Sequence, residues 1–342
     1  MQHALDLARK ALWLTSPNPR VGCVITAADG TLLGQGHTQR AGGPHAEIMA
    51  LRDAAERGQS VQGATAWVTL EPCAHQGRTG PCCDALATAG IGRVVAAMTD
   101  PNPQVAGQGM ARLAAAGVLT ETLAPDSDIA LQARELNVGF FSRMERGLPW
   151  VRLKVAASLD GQTALANGQS QWITGPQARA DGHAWRARAC AILTGIGTVL
   201  EDDPQLNVRG LEVPRQPHLV VVDSRLDMPL TAKLLDTQGA GEHARQIWVY
   251  TATSDQADKR AALTARGVTV IDCPGPGGKV DLAAMLRDLA QREINELHVE
   301  AGHKLNGSFI REGLVDEFLV YLAPQLLGPG QGMAHLPALT AL

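Results

Sequence analysis

The sequence predicts an α/β protein built of two domains. Three observations carry that expectation. Helical and extended patterns alternate along almost the whole chain, as they do where helices are layered on a sheet. The alternation is interrupted by a short charged stretch, Arg143-Met144-Glu145-Arg146-Gly147-Leu148-Pro149, and then restarts, so this stretch is the expected joint. The chain has 342 residues, 45% of them hydrophobic, which suffices for two separate cores.

In the first half, apolar residues at helical spacing predict a helix over 2–14, broken by Ser16-Pro17-Asn18-Pro19. A strand is expected over 21–27, with Asp29-Gly30 as the turn into its hairpin partner. Gly42-Gly43-Pro44 breaks the chain again before a helix over 45–57. Strands follow at 65–70, 93–98 and 118–123, and helices at 82–89, 107–116 and 127–142. In the second half, strands are expected at 151–157, 191–194, 218–222, 246–250, 268–271, 296–299 and 317–322. Helices fall at 176–189, 254–266 and 282–292, and Pro274-Gly275-Pro276-Gly277-Gly278 reads as a loop.

Composition narrows the function classes. The net charge is −4, which argues against a basic nucleic-acid footprint and hence against a nucleic-acid partner. No apolar run of about 18 residues is present, so no membrane helix is expected. Residues 1–14 carry Asp6, Arg9 and Lys10 among their apolar positions and read as an amphipathic helix, not a signal peptide. That places the protein in the cytoplasm, where cysteines stay reduced. Of the six cysteines, Cys73, Cys82 and Cys83 cluster, a spacing that favours metal binding over a disulfide. Cys23, Cys190 and Cys273 read as core or loop residues without chemistry.

The stretch from Pro44 to Cys83 carries the chemistry. His45-Ala46-Glu47 supplies an imidazole and a carboxylate, and Pro72-Cys73 and Pro81-Cys82 supply two thiols. These are the parts of a zinc deaminase, although Cys82 follows Cys73 by nine positions, where the common signature has three. A catalytic zinc takes three protein ligands and keeps a fourth position open. His45, Cys73 and Cys82 are the expected ligands. Glu47 is the expected proton carrier, with His45 at the very start of a helix and Glu47 in its first turn. The bland alternative is a closed structural site with Cys83 as fourth ligand. Adjacent helical residues project about 100° apart, which disfavours Cys82 and Cys83 sharing one ion.

Around these residues lie Pro17-Asn18-Pro19-Arg20-Val21-Gly22, Thr69-Leu70-Glu71-Pro72-Cys73-Ala74-His75 and Gly77-Arg78-Thr79-Gly80-Pro81-Cys82-Cys83. The second half carries Leu153-Lys154-Val155-Ala156-Ala157-Ser158-Leu159-Asp160-Gly161, Ser170-Gln171-Trp172-Ile173-Thr174, Thr198-Val199-Leu200-Glu201-Asp202-Asp203-Pro204 and Val299-Glu300-Ala301-Gly302. With both sets in order, the chain closely resembles the bifunctional riboflavin-biosynthesis deaminase/reductases.

The resemblance implies a cytidine-deaminase-like three-layer domain over 1–145 and a dihydrofolate-reductase-like domain over 146–342. It implies zinc and NADPH as cofactors and two consecutive reactions. The 2-amino group of 2,5-diamino-6-(5-phosphoribosylamino)pyrimidin-4-one is hydrolysed, and the ribosyl chain of the product is reduced to ribityl. By the same resemblance Asn18, His75 and Arg78 hold the substrate in the deaminase pocket. In the second domain Ala156, Trp172, Thr198, Asp202 and the loop Gly302, His303, Lys304, Leu305, Asn306, Gly307 and Ser308 fall at NADPH positions. Ser170, Arg186, Leu206, Arg209 and Glu300 fall at positions for the phosphoribosyl substrate. Lys154 and Asp202 are the polar groups expected near the reacting carbon. Ser224, in Asp223-Ser224-Arg225 at a strand end, is a candidate contact for the cofactor's 2′-phosphate. The family also implies a homo-oligomer, dimer or higher. It implies as well that a chain stopping at Leu342 is shorter than usual, with an active deaminase beside an impaired reductase as the alternative.

Overall fold

The computed structural model describes residues 1–75, 80–103, 105–237 and 244–338. The chain divides into two compact units, Met1–Gly147 and Leu148–Leu342.

The first unit runs α1 (Gln2–Lys10), β1 (Gly22–Thr26), β2 (Leu32–His37), α2 (Ala46–Glu56), β3 (Thr65–Val68), α3 (Cys82–Thr88), β4 (Arg93–Ala96), α4 (Gln108–Ala115), β5 (Leu119–Thr122), α5 (Asp128–Leu136) and α6 (Val138–Arg146). Its sheet has the order β2-β1-β3-β4-β5. The β1–β2 and β1–β3 pairs are antiparallel, and β3–β4 and β4–β5 are parallel. Alternation along β1 makes three layers. Cys23 and Ile25 join the cluster that holds Ala46 and Ala50 of α2 and Leu86 of α3. Val24 turns to the other face and packs with Ala4 and Leu7 of α1.

Three expectations for this unit need correcting. The helix expected over 2–14 ends at Lys10 with Ala11 as its C-cap. The single helix over 127–142 is two helices, because Asn137 (φ −111°, ψ 19°) interrupts it. Asn137 is buried; its amide Nδ2 donates to the carbonyls of Arg20 and Ala133, and its Oδ1 accepts the Arg20 N–H. The helix gives way so that this side chain can anchor the chain beside the Pro-Asn-Pro turn. The joint over 143–149 is also shorter than expected. Residues through Arg146 stay helical, and Gly147 (φ 67°) ends the helix in the left-handed region.

The second unit runs β6 (Trp150–Ser158), β7 (Gln162–Leu165), α7 (Pro176–Arg188), β8 (Ala191–Gly195), α8 (Ile196–Asp202), β9 (His218–Val222), β10 (Ile247–Thr251), α9 (Ala257–Ala265), β11 (Val268–Asp272), α10 (Leu282–Gln291), β12 (Glu296–Val299), α11 (His303–Arg311), β13 (Glu317–Ala323) and β14 (Gly330–Gly332). The main sheet has the order β11-β10-β9-β8-β12-β6-β13, and all its strand pairs are parallel. Strands buried on both faces suit the apolar runs His218–Val222 and Ile247–Thr251. β12 is inserted between β6 and β8, which are earlier in sequence. In such sheets ligands bind outside the carboxyl ends of the strands, where the order reverses. Residues 302–308, expected as a loop, are instead the N-cap and first two turns of α11, with Gly302 at the N-cap.

Candidate active site

α2 sets the position of the first cluster. It lies so close on β2 that a Cβ added at Gly36 would sit 2.5 Å from Met49 Cβ and 2.6 Å from the Ala50 nitrogen. Only a bare backbone fits there. His45 is the N-cap of α2 with extended backbone (φ −77°, ψ 171°), and Glu47 lies in the first turn. Cys82 opens α3 directly after its N-cap Pro81. Cys73 arrives on the segment after β3, and its sulfur accepts the Cys82 N–H at 3.4 Å.

These elements bring the His45, Cys73 and Cys82 ligand atoms to within 4.8 Å of one another. His45 Nδ1 lies 3.6 Å from Cys73 Sγ and 3.4 Å from Cys82 Sγ. Ligand atoms around a tetrahedral zinc with ordinary Zn–S and Zn–N lengths stand about 3.5 Å apart. The three donors therefore fit that ion without rearrangement. Cys83 is not in this group; its thiol donates to Asp84 Oδ1 at 3.6 Å.

The electrostatics are those of an anion-rich cage. Cys73 is pulled down to about 4, first by the thiol hydrogen bond from Cys82 and then by His45. The same sulfur–sulfur contact drives Cys82 up. The hydrogen bond to Cys73 raises His45. Glu47 is buried, 3% exposed, and burial with the nearby Cys73 charge pushes it up to about 7. A carboxyl group that changes protonation near neutral pH suits proton transfer.

The remaining residues expected in this half are less gathered. Asn18 sits in the turn before β1, where its N–H donates to the Thr15 carbonyl at 2.8 Å. His75 is exposed, and Arg78 lies outside the described residues.

In the second unit a cavity of about 200 Å3 brings together five expected residues: Lys154, Trp172, Arg186, Arg209 and Glu300. Arg186 grips Glu300 with two donors: Nε meets Oε1, and Nη2 meets Oε2 at 2.8 Å. Its Nη1 donates to the Asn207 carbonyl at 3.1 Å. Arg186 is thus a holder of Glu300. Burial opposes ionisation of Glu300, but the Arg186 charge and its hydrogen bonds hold it well below its ordinary value. Lys154 Nζ stands 3.8 Å from Glu300 Oε2.

The cavity also has walls that the sequence reading missed: Arg179, His183 and Tyr321. Arg179, His183 and Arg186 recur at i, i+4 and i+7 on α7, a spacing that puts them on one helix face and could have revealed them. Arg179 stacks over the exposed Trp172 ring at 4.4 Å from its centroid. Tyr321 donates to Asp181 at 2.5 Å.

The expected cofactor residues fall on neighbouring elements. Gly302 opens α11, and a Cβ there would lie 3.8 Å from Thr198 Oγ1 of α8. The N-terminus of this nine-residue helix, with its unpaired first N–H groups, is the kind of feature that can take a diphosphate. Ala156 is on β6, and Asp202 ends α8 exposed. Asp202 does not line the cavity, whereas Lys154 does. Ser224 Oγ accepts the Val280 N–H at 3.2 Å. Leu206 is buried with φ 47°, and its carbonyl accepts from Arg245. Ser170 is half-buried and is not among the cavity's lining residues.

The chain was compared with known proteins. Residues 1–98 match the family model of the cytidine and deoxycytidylate deaminase zinc-binding region. Residues 149–340 match that of the RibD C-terminal domain. The riboflavin biosynthesis protein RibD of Escherichia coli K12 is 45% identical over 349 residues, covering 100% of this chain and 92% of that protein. A solved RibD of Acinetobacter baumannii is 44% identical with a TM-score of 0.86, covering 98% of this chain and 89% of that one. A solved diaminohydroxyphosphoribosylaminopyrimidine deaminase/5-amino-6-(5-phosphoribosylamino)uracil reductase of Thermotoga maritima is 30% identical, with a TM-score of 0.85. It is covered over 91% of its length and covers 100% of this chain. Because the C-terminal model spans almost the whole second unit, the alternative of an impaired reductase finds no support. Among the described residues no helix is long and apolar enough to cross a membrane. The chain belongs to the RibD family, the zinc- and NADPH-dependent bifunctional deaminase/reductases of riboflavin biosynthesis.

Proposed function

We propose that the first unit hydrolyses the 2-amino group of 2,5-diamino-6-(5-phosphoribosylamino)pyrimidin-4-one and that the second reduces the ribosyl chain of the resulting uracil to ribityl. One observation carries the deaminase half: an imidazole and two sulfurs at ligand spacing, with a buried carboxylate two residues from the imidazole. In this reading His45, Cys73 and Cys82 hold zinc, which when bound supplies the Lewis acidity that makes water a nucleophile near neutral pH. Glu47 takes the proton from water as the C–O bond forms. It returns a proton to the amine as the C–N bond breaks, so that uracil and ammonia leave. Burial serves this role, because it makes the carboxylate readier to take up a proton than it would be in water. Asn18 is assigned to the pyrimidine edge, and the residue types of His75 and Arg78 suit a phosphate.

In the second unit the cavity walls carry Lys154, Arg179, Arg186 and Arg209 against the single carboxylate of Glu300, a surplus of positive charge that suits a phosphorylated sugar. Arg186 is occupied by Glu300, so Lys154 and Arg209 have capacity for the substrate. Ala156, Trp172, Thr198, Asp202, Ser224 and the first turns of α11 would hold NADPH, which when bound would supply the hydride. The reading includes a cytoplasmic protein, a dimer or higher oligomer, and no nucleic-acid partner. The −4 net charge supports the last point.

The test follows ammonia and NADPH separately. With the diaminopyrimidine substrate alone the protein should release ammonia, and NADPH oxidation should begin only when that product has formed. NADPH oxidation without prior ammonia release, or neither signal, would contradict the reading.

A further inference from the structure

Two residues before Cys73, in a motif to which the proposed chemistry gives only Cys73 and His75, stands Glu71. It is 3% exposed. Its carboxylate accepts four backbone N–H groups. Oε1 takes those of Gly109 at 2.9 Å and Met110 at 3.2 Å, and Oε2 takes those of Gly107 at 2.9 Å and Asp100 at 3.2 Å. Three of the four belong to the start of α4. That helix begins with Gly107 at the N-cap, which has no side chain to cap it, and has no acidic residue in its first turn. Glu71 therefore does from another segment what an N-cap side chain would do locally.

The contact is tight on the backbone side as well. A Cβ at Gly109 would sit 1.9 Å from the Pro72 carbonyl oxygen, so the turn of α4 lies directly against the peptide that leads into Cys73. On the other side, the Cys83 N–H donates to the Cys73 carbonyl at 3.3 Å and the Cys82 N–H to its sulfur. Cys73 is thus held between the start of α3 and the start of α4, and Glu71 makes the second of these attachments.

We infer that Glu71 is a positioning residue for the metal ligand Cys73, its carboxylate locking the Glu71-Pro72-Cys73 segment onto the start of α4. This rests on the assignment of Cys73 as a ligand. A carboxylate is required because only it offers acceptors on both oxygens. A glutamine of the same size turns one oxygen into an NH2 group facing two N–H donors, which leaves buried donors unpaired.

The test uses Glu71→Gln in the full-length protein. Reductase turnover of the deaminated intermediate, a property of the other unit, should be unchanged. Zinc affinity by chelator competition should fall about tenfold or more, the usual effect of disturbing support behind a ligand. In the cobalt-substituted protein the sulfur-to-cobalt charge-transfer band should shift, which a purely structural role far from the ligand would not cause. Wild-type affinity and an unmoved band would overturn the inference. The wild-type holoenzyme gives an independent reading that does not depend on how the variant folds. Removing zinc should speed hydrogen exchange at the amides of Gly107, Gly109 and Met110, and unchanged exchange would count against the link. Cys73→Ser separates the two layers. Full zinc affinity in that variant would remove the ligand assignment itself, whereas loss there with no change in Glu71→Gln removes only the role of Glu71.

Discussion

At the scale of residues, the two sites depend on buried carboxylates that their neighbours shift in opposite directions. Burial and the neighbouring Cys73 charge raise Glu47 to about 7. Glu47→Gln should keep zinc and fold while ammonia release falls by about 100- to 10,000-fold, the range for losing a positioned acid–base group. Retained ammonia release would remove Glu47 from the mechanism. Glu300 is held by Arg186 well below its ordinary value of 4.5. The sign follows from proton binding: a depressed carboxyl binds fewer protons folded than unfolded. Its contribution to stability is present above about pH 4.5 and disappears as pH falls through the folded value. Glu300→Gln should therefore destabilise the protein by roughly 3 kcal/mol near neutral pH, and the gap to wild type should narrow as pH drops. A gap that stays constant in denaturant unfolding down to about pH 3 would contradict this. The zinc ligands were legible in the sequence because each sits in a short motif whose residue types have few other uses. Glu71 was not, because its four partners lie 29 to 39 residues away and are backbone groups with no identity in the sequence. Arg179 and His183 went unnoticed, because a shared helix face is a weak signal until the cavity shows what it lines.

At the scale of elements, the first site is as firm as the seat of α2 on β2. Gly36→Val would place a branched side chain where a single Cβ already meets Met49 and Ala50. The expected result is a loss of about 1–3 kcal/mol in denaturant unfolding. Weaker zinc binding should accompany it, because His45 and Glu47 ride on that helix. An unchanged midpoint would mean that α2 has room to move. Alternation and breakers announced most elements of the sheets within a residue or two. They failed where long-range contacts decide the local structure. The apolar pattern runs through Ala130, Ala133, Phe140 and Phe141 without a gap, so nothing local marks Asn137 as a break; the reason is its bond to Arg20. Residues 302–308 read as a loop because of their glycines and polar side chains. They fold as helix with Phe309 in the core and Asn306 donating to the Met333 carbonyl. β7 is too short, and β14 too short and too rich in glycine, to show a pattern.

At the scale of the whole molecule, each candidate site is assembled from residues of one unit alone: His45, Glu47, Cys73 and Cys82 in Met1–Gly147, and the cavity residues in Leu148–Leu342. Chelating zinc should therefore abolish ammonia release while NADPH oxidation with the deaminated intermediate continues. A parallel loss of both activities would show that the second site needs the first. The division into two halves was legible because the charged joint separates two runs of alternation, although α6 reaches further into that joint than its composition suggests. The central claim is a metal centre with three protein ligands and one open position. X-ray absorption at the zinc edge of the loaded protein tests it most directly. The account predicts two sulfurs at about 2.3 Å, one imidazole nitrogen near 2.0–2.1 Å and one further light atom not from the protein. Three or more sulfurs, or none, would contradict it.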